Sequence, residues 1–347
     1  MKKKIYAVWE ILPGFFAALC IALIAQWIEN LLPIHLIGGS VIALFIGMIL
    51  NHFWKPKILT PGLKFTSKKI LKFAIILLGA SLSIGTVLTV GRLSLTVMVF
   101  TLLTCFGGGY FIGKALKLNW KLSNLISAGT GICGGSAIAA LSSVIDADDS
   151  DVAYAMSATF LFDIAMIVLF PIMGRALELS DIAYGLWTGT AVNDTSSVVA
   201  AGFAYSEAAG DFATMVKLTR TLSIIPVVVV FAFINARLKQ KAATAQNGQE
   251  GISVKEKIHI SSLFPWFILG FLTLAFINSF GLIPAVVAAS AKTLSKFLMV
   301  SALAAIGLNT SFRQMSKSGP APMLHGFIIS ALVVIVAITV EFFMGIV

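Results

Sequence analysis

Three short polar stretches inside otherwise apolar sequence hold the residues best suited to bind a small solute. The first, Gly129–Ser136, has four glycines among eight residues. Because glycine costs about 1 kcal/mol in a helix interior, this density predicts a helix that unwinds there. Backbone groups freed inside apolar surroundings must line a cavity or meet a ligand; close packing of helices through small residues is the alternative. The predicted solute contacts are Gly131, Cys133, Gly134, Gly135 and Ser136.

The second stretch brings four oxygen-bearing side chains together in consecutive positions: Asn193, Asp194, Thr195 and Ser196. An aspartate deep in an apolar segment is costly unless it is paired, protonated or bound to a cation. Hard oxygen ligands of this kind suit Na⁺ or a proton relay, so the stretch is predicted to bind a coupling ion. A hydrogen-bonded structural aspartate is the alternative.

The third stretch, Ala304–Ser311, has fewer glycines but adds Asn309, Thr310 and Ser311. A second helix break is predicted here, with these three side chains as further solute contacts. Half-helices that meet at such breaks present N-terminal N–H groups, which attract anions. The alternative is again close packing of small residues.

Four charged residues inside other apolar segments each have two interpretations. Lys217 and Arg220 lie three residues apart on one helix face, where they either attract an anionic solute or extend outward to the membrane surface. Asp163 and Glu341 either form buried ion pairs or take part in transport. The sequence leaves both questions open.

The sequence contains no motif for covalent catalysis. It lacks the GxSxG, HExxH and P-loop patterns. Cys20, Cys105 and Cys133 lie in apolar segments without metal-ligand spacing, so neither a zinc site nor a disulfide framework is expected. The chain is therefore predicted not to be an enzyme and to need no cofactor apart from Na⁺ or H⁺ as the coupling ion.

The composition places these stretches in a membrane. Of the 347 residues, 58% are hydrophobic and only 12% are charged, and the mean hydropathy is +0.97. Soluble domains carry about 25% charged residues, so a bilayer is the expected partner. The net charge of +10 comes from basic residues in short loops between apolar runs, and no nucleic-acid partner is expected.

Eleven apolar segments are long enough to cross about 30 Å of hydrocarbon. They lie near residues 11–30, 35–53, 69–90, 93–114, 122–145, 152–174, 182–205, 211–236, 262–280, 284–312 and 321–346. The first follows three lysines, as a secretory signal does, but ten further segments follow and we interpret it as a span. The predicted fold is all-α and polytopic, with about eleven transmembrane helices.

The distribution of charge predicts the orientation. With a cytoplasmic N-terminus, 20 of the 25 Lys and Arg residues fall in cytoplasmic loops, which predicts an outside C-terminus and a multi-pass protein of the cell membrane. The outer side is predicted to carry the acidic segment 146–151 together with Glu207 and Asp211. Lys292 and Lys296, near the outer end of their segment, are assigned a structural role.

Three weak internal similarities predict an inverted repeat. Residues 35–44 match 185–194, residues 69–77 match 217–225, and residues 126–133 match 300–307. Five spans separate the copies, and an odd number reverses direction in the membrane, as in many secondary transporters. The predicted domains are an extra N-terminal helix at 1–34, a first five-helix repeat at 35–178, and a second at 179–236 plus 261–347. A cytoplasmic linker is predicted at 237–260.

Four runs of sequence resemble the sulfate-exporter family of membrane transporters, over nearly the whole chain. They are GGSVIALFIGMILN (Gly38–Asn51), KKILKFAIILLGASLSI (Lys68–Ile84), GTGICGGSAIAA (Gly129–Ala140) and GTAVNDTSSVVAAG (Gly189–Gly202). That family is similar to the bile-acid/sodium symporters and auxin-efflux proteins. The resemblance implies two inverted five-helix repeats, a core and a panel domain, and crossed broken helices. Many relatives carry a His-Glu pair where this chain has Asn193-Asp194, which implies a different coupling ion or substrate.

These observations together predict a secondary active transporter of a small anionic solute, such as a sulfur oxyanion or an organic anion. A passive anion channel is the alternative, as is a membrane sensor that uses a transporter fold. The resemblance also implies a homodimer.

Overall fold

The computed structural model describes residues 2–31, 39–53, 57–247, 266–310 and 319–347. Within these ranges every regular element is a helix. Most of the predicted linker, from residue 248 onward, and Ser311 lie outside the described residues. The all-α prediction is confirmed for the described part of the chain.

The helices are numbered in chain order. Their bounds are α1 Lys2–Leu31, α2 Gly39–Phe53, α3 Thr60–Phe65, α4 Leu71–Gly79, α5 Ile84–Leu103, α6 Gly109–Ala115, α7 Trp120–Ala128, α8 Gly135–Val144, α9 Asp149–Ala176, α10 Asp181–Ala191, α11 Thr195–Tyr205, α12 Glu207–Leu222, α13 Ile224–Asn247, α14 Trp266–Ser279, α15 Ala285–Asn309 and α16 Pro320–Phe343. A 3-10 turn precedes α3 at Lys57–Leu59, and three π-helical turns join neighbouring helices at Thr66–Ile70, Thr104–Gly108 and Gly129–Cys133.

Six helical stretches of the described chain are long and apolar enough to cross a membrane. They are Glu10–Leu31, Ile84–Ala115, Ser150–Ala176, Glu207–Leu238, Ala285–Asn309 and Pro320–Phe343. Shorter apolar helices are found at Val41–Phe53 and Trp266–Ser279. Many large apolar side chains on these helices are exposed, as expected where lipid replaces water. The chain is thus built as a polytopic membrane protein.

The helices pack as two groups. The scaffold group contains α1 to α4, α14 and α15, and the hairpin group contains α5 to α13 and α16. In the scaffold group, α2 and α15 pack so closely that a Cβ atom on Gly47 would lie 2.5 Å from the Ala304 carbonyl oxygen, and one on Gly307 would lie 2.1 Å from that of Leu44. Glycine at both positions therefore allows the two backbones to touch. The groups meet where α11 contacts α2 and α15, and where α14 contacts α5, with the Ile84 N–H donating to Ser279 Oγ at 2.7 Å.

Residues 120–144 form a helical hairpin, which we call hairpin A. The Lys121 Nζ atom donates to the Asp146 carbonyl oxygen at 2.5 Å, and the Asn119 side chain donates to the Asp151 carboxylate at 3.1 and 3.2 Å. A straight helix of 25 residues would separate its ends by about 37 Å. The chain therefore enters through α7, turns at Gly134, and returns through α8 to the face where it started.

Residues 181–205 form a second hairpin, which we call hairpin B. The Tyr205 hydroxyl donates to the Leu179 carbonyl oxygen at 2.5 Å, and the Ser206 hydroxyl donates to the Asp181 carboxylate at 2.6 Å. The rings of Tyr184 and Tyr205 stack with centroids 3.8 Å apart. Both ends of hairpin B therefore also lie at one face, at the far end of α9 from hairpin A.

The two hairpins thus enter from opposite faces. We call the face that carries Lys114, Lys117 and Lys121 the basic face, and the other the opposite face. Hairpin A starts and ends at the basic face, α9 runs from there to the opposite face, and hairpin B starts and ends at the opposite face. The contact of Asn235 on α13 with the Asp146 carboxylate, at 2.9 Å, brings α12 and α13 back to the basic face.

Two predictions from the sequence were therefore wrong. Segments 122–145 and 182–205 are not single straight helices, because the turns at Gly134 and at residues 192–194 reverse the chain. For the same reason, the acidic segment 146–151 lies at the face of Lys121, and Arg175 lies at the face of Glu207. Hydropathy alone could not detect the reversal, since each hairpin contains as many apolar residues as a span.

The third polar stretch is regular helix as far as Asn309. The helix α15 continues without interruption from Ala285 to Asn309 and ends at Thr310, and residues 311–318 lie outside the described residues, so a break at the end of this stretch stays a prediction. Ala304 and Ala305 have high helix propensity, and Gly307 is needed for close packing on α2 instead of for unwinding. The second break lies in hairpin B, at residues 192–194.

The two hairpins also share a sequence pattern that the three earlier similarities missed. Aligned 60 positions apart, GTGICGGSAIAA from Gly129 matches GTAVNDTSSVVA from Gly189, and Asp151 at the start of α9 matches Asp211 near the start of α12. Each hairpin is followed by a long crossing helix, and the two units run in opposite directions. The division into repeats at 35–178 and 179–347 stays a prediction, and the hairpin match offers a different internal relationship.

Candidate functional site

The tips of the two hairpins meet inside the hairpin group. Gly134, at the tip of hairpin A, has φ 66° and ψ −131°, a conformation that is essentially restricted to glycine. A Cβ atom placed on it would lie 2.9 Å from the Asp194 Oδ1 atom and 3.2 Å from the Asp194 Cα atom. The absence of a side chain at Gly134 therefore lets the tip of hairpin B approach to contact.

Two buried cations of α12 bind the backbone carbonyl groups of both tips. Arg220 is 1% exposed and donates from Nε to the Gly131 carbonyl oxygen at 2.7 Å, from Nη1 to that of Val192 at 3.1 Å, and from Nη2 to that of Thr130. Lys217 is fully buried and donates to the same Val192 oxygen at 2.9 Å. These carbonyl groups lie at the C-terminal end of the first helix of each hairpin. The helix dipole is negative there, so the two cations stabilise both helix ends.

The outward alternative for Lys217 and Arg220 is thereby excluded, because neither side chain reaches the surface. Their positive charge is placed at the junction of the two hairpins.

Two carboxylates accept hydrogen bonds from backbone N–H groups at the N-terminal end of α11, where the helix dipole is positive. The Asp163 side chain, buried on α9, accepts from the backbone N–H groups of Asn193 at 2.9 Å and Asp194 at 3.1 Å. The Asp194 side chain caps α11 by accepting from the Ser196 backbone N–H at 2.9 Å and from the Ser196 hydroxyl. The N-terminus of α11 is thus occupied by negative charge. Each of the four charges has backbone partners, and two positive charges balance two negative ones.

The helix α16 links both tips through one hydroxyl group. The Asn193 amide nitrogen donates to Ser330 Oγ at 3.3 Å, and Thr130 Oγ1 lies 3.5 Å from the same atom. All three side chains are fully buried. Asn193 Oδ1 has no hydrogen-bond partner among the described residues, so the junction holds a buried polar atom that no described group satisfies.

The N-terminus of α8 differs from that of α11 because no side chain caps it. Gly134 is buried, whereas Gly135 is half-buried and Ser136 is exposed. Asp194 and Thr195 of hairpin B are also partly exposed. An accessible surface therefore begins at the junction, with uncapped backbone N–H groups and two hydroxyl groups beside it.

The structure brings together most of the residues predicted for the site. Hairpin A contributes Gly131, Cys133, Gly134, Gly135 and Ser136, hairpin B contributes Asn193, Asp194, Thr195 and Ser196, and α12 contributes Lys217 and Arg220. Their roles differ from the predicted ones in part, since Cys133 is buried and Asp194 caps its own helix. Asn309 and Thr310 lie at the end of α15, where the Thr310 carbonyl oxygen accepts from the Asn51 side chain of α2.

Three residues of the junction had no settled role in the sequence prediction. Asp163 was left between a buried ion pair and a part in transport, Thr130 lay within the predicted stretch Gly129–Ser136 but was not among its named solute contacts, and Ser330 was not considered. The 60-residue match between the hairpins would have indicated Thr130, because it pairs Thr130 with Thr190 and places both next to the breaks. No sequence signal indicates Ser330, which reaches the junction only through the packing of α16.

Glu341 is the other lone carboxylate of the sequence prediction. It is fully buried on α16, and neither carboxylate oxygen has a hydrogen-bond partner among the described residues. The predicted ion pair for Glu341 is therefore not formed within the described part of the chain.

Comparison with known proteins gives a consistent family match. Residues 13–326 match the family model described as conserved hypothetical protein 698. The chain is 58% identical over 334 residues to a UPF0324 membrane protein of Clostridium tetani, covering 96% of this chain and 97% of that protein. It is 39% identical over 344 residues to a UPF0324 membrane protein of Streptococcus pyogenes serotype M18, covering 96% and 98%. The names of these relatives state a membrane location and no substrate. Since the matches extend over almost the whole chain, it belongs to the conserved hypothetical protein 698 family of membrane proteins.

Proposed function

We propose that this protein is a secondary active transporter of a small anionic solute, which binds where the two hairpins meet. The observation that carries the proposal is the pair of hairpins that enter from opposite faces and touch at Gly134 and Asp194. Irregular backbone at membrane depth is tolerated only where it is buried in protein or lines a cavity, and transporters place their solute sites at such breaks. An enzyme or a structural membrane protein has no comparable need for this arrangement.

The charge at the junction supports an anion. Lys217 and Arg220 offset the negative charge of Asp163 and Asp194, so the uncapped N-terminus of α8 leaves partial positive charge at an accessible position. The Ser136 and Thr195 hydroxyl groups can donate hydrogen bonds to an oxyanion. Sulfate and other sulfur oxyanions, to which the sequence resemblance points, are the first candidates, followed by organic anions.

The membrane topology is part of the proposal. Six long helical stretches, two shorter apolar helices and the composite segment from Lys57 to Gly79 would give nine crossings, with both hairpins re-entrant. We propose that the basic face is cytoplasmic, because Lys and Arg are concentrated in cytoplasmic loops of membrane proteins. An odd number of crossings then places the C-terminus outside the cell membrane.

Binding and flux experiments test the transport proposal together. Thermal unfolding of the purified protein in detergent is measured with sulfate, sulfite and small carboxylates, each with and without Na⁺. A ligand that binds only the folded state stabilises it by about 2.7 kcal/mol at a hundred times its dissociation constant. The anion that stabilises the protein is then loaded into proteoliposomes, where a transporter gives saturable counterflow. Flux without saturation or counterflow would favour the channel alternative, and stabilisation by cations or neutral solutes only would overturn the anion proposal.

The coupling ion is proposed to bind at residues 193–196, as Na⁺ or H⁺. Substitution Asp194→Asn keeps the shape of the side chain but removes its charge, so we expect uptake to fall at least about tenfold or to lose its dependence on Na⁺ or pH. Uptake by the variant is measured across Na⁺ concentrations and pH values in proteoliposomes. Asp148→Asn is the control, because Asp148 is exposed at the basic face. Unchanged rate and unchanged ion dependence in Asp194→Asn would refute the coupling role.

A further inference from the structure

A cluster of four charged side chains connects the scaffold group to the hairpin group at the opposite face. The Lys292 Nζ atom lies 2.8 Å from the Glu207 Oε1 atom and 2.6 Å from the Asp211 Oδ2 atom. The Lys296 Nζ atom lies 2.6 Å from the Glu207 Oε2 atom. The two lysines are four residues apart on one face of α15, and both acids lie in the first turns of α12.

The cluster lies between the two helix groups. It joins α15 of the scaffold group to the junction between hairpin B and α12. Lys296 also lies over the Phe203 ring of hairpin B, with Nζ 5.7 Å from the ring centroid. In the described part of the chain, the ion pairs between the two groups lie at this face. The groups are therefore held together by charge at the end where hairpin B enters.

The ion pairs of the cluster are weak enough to break and form again. The two lysine side chains are 28% exposed and that of Glu207 is 58% exposed, so each pair is weakened by water and salt. Asp211 is only 11% exposed, and its Oδ1 atom is buried without a hydrogen-bond partner among the described residues. If Lys292 moves away, the Asp211 carboxylate needs water, so separation of the groups and entry of water at this face must occur together.

We infer that Lys292, Lys296, Glu207 and Asp211 form an ion-pair latch that closes the opposite face in the state seen here, with the hairpin junction reached from the basic face. This inference rests on the proposed alternating access. Release of the latch lets the hairpin group move relative to the scaffold group and exposes the junction to the opposite face. The movement needs no change inside either hairpin, because Arg220 and Asp163 hold the two tips to the same group.

Side-specific labelling of one introduced cysteine tests the latch without any knowledge of the solute. Ser136 is exposed at the N-terminus of α8, and the substitution Ser136→Cys is made together with Cys20→Ser, because Cys20 is exposed and Cys105 and Cys133 are buried. A membrane-impermeant maleimide is added to one side of sealed vesicles at a time. We expect labelling from the basic-face side in the protein with an intact latch.

The same labelling is repeated after the latch lysines are replaced together, as Lys292→Met and Lys296→Met. We expect the labelling rate from the opposite side to rise about tenfold, because the latch keeps the alternative state as a minor population. Lys121→Met is the matched control, since Lys121 binds the Asp146 carbonyl oxygen within the hairpin group at the basic face. Exchanging all four charges, as Lys292→Glu and Lys296→Glu with Glu207→Lys and Asp211→Lys, should restore the original labelling, because each ion pair is kept with reversed sign.

Chemical cross-linking provides a second, independent measurement. In the variant with Lys296→Cys and Glu207→Cys, a membrane-impermeant bifunctional methanethiosulfonate added from the opposite side should bridge α15 and α12 across the length of the former ion pair, prevent labelling from that side, and be released by a reductant. The latch is overturned if the double methionine variant labels like the control, if cross-linking leaves labelling from the opposite side unchanged, or if Ser136→Cys is never labelled from the basic-face side. Because no solute is added, failure here is distinct from failure to find a transported anion.

Discussion

Substitution Gly134→Ala is expected to abolish transport and to destabilise the protein by about 3 kcal/mol, through backbone strain of about 1–3 kcal/mol plus a steric clash. Gly134 has φ 66° and ψ −131°, which an L-residue with a side chain adopts only at that cost. The added methyl group would also lie 3.2 Å from the Asp194 Cα atom and 2.9 Å from the Asp194 Oδ1 atom, so the tips of the hairpins would have to separate. Thermal unfolding and solute counterflow measure the two effects.

The neighbouring glycine is the matched control for this prediction. A Cβ atom on Gly135 would have only Met156 Cε near it, at 4.0 Å, and Gly135 is the first residue of the regular helix α8. Gly135→Ala is therefore expected to unfold within about 1 kcal/mol of the native protein, or to be slightly more stable, because alanine favours a helix over glycine. Equal effects of the two substitutions would show that the tip geometry described here is wrong.

The second large effect is expected for Arg220→Met, which keeps much of the side-chain volume but removes the guanidinium group. The variant leaves the carbonyl oxygens of Thr130 and Gly131 buried without this donor, at about 1–3 kcal/mol each. It also leaves the carboxylates of Asp163 and Asp194 opposed only by Lys217. We expect a loss of at least about 3 kcal/mol in stability, together with loss of transport and of anion-dependent stabilisation.

Arg237→Met serves as the control for the loss of one arginine. Arg237 is exposed on α13, where its guanidinium carbon lies 4.2 Å from the centroid of the Phe233 ring. Its removal is expected to change the free energy of unfolding by no more than about 1 kcal/mol.

A second variant at the junction, Arg220→Lys, distinguishes the effect of the positive charge from the effect of the hydrogen-bond geometry. It keeps the charge but cannot donate to three carbonyl groups in fixed directions, so intermediate stability with little transport is expected.

Much of the fold follows from the sequence by physical argument. The apolar segments predicted the long helices near residues 11–30, 152–174 and 321–346, because a helix that crosses lipid needs about twenty apolar residues. The glycine density at Gly129–Ser136 predicted the break at the tip of hairpin A, since glycine is the residue that allows φ above zero. The oxygen-rich stretch at residues 193–196 also lies at a break.

What the sequence did not reveal is the direction of the chain after each break. A hairpin and a crossing helix contain similar numbers of apolar residues, and only contacts such as Lys121 with Asp146 distinguish them. Those contacts depend on tertiary packing, as does the arrival of Ser330 at the junction. The break expected near Asn309 stays a prediction, because α15 is regular up to Asn309 and the described residues stop at Thr310; Gly307 serves close packing between α2 and α15, and glycine in a sequence has both uses.

The entry of the two hairpins from opposite faces is the central claim, and cysteine accessibility at their ends tests it most directly. Single cysteines are introduced in a Cys20→Ser background at Lys117 and Asp148, which flank hairpin A, and at Glu178 and Ala208, which flank hairpin B; all four positions are exposed. A membrane-impermeant maleimide is applied to each side of sealed vesicles. We expect Lys117→Cys and Asp148→Cys to be labelled from one side, and Glu178→Cys and Ala208→Cys from the other. Labelling of Lys117→Cys and Asp148→Cys from different sides would mean that residues 120–144 cross the membrane, and would contradict the site described here.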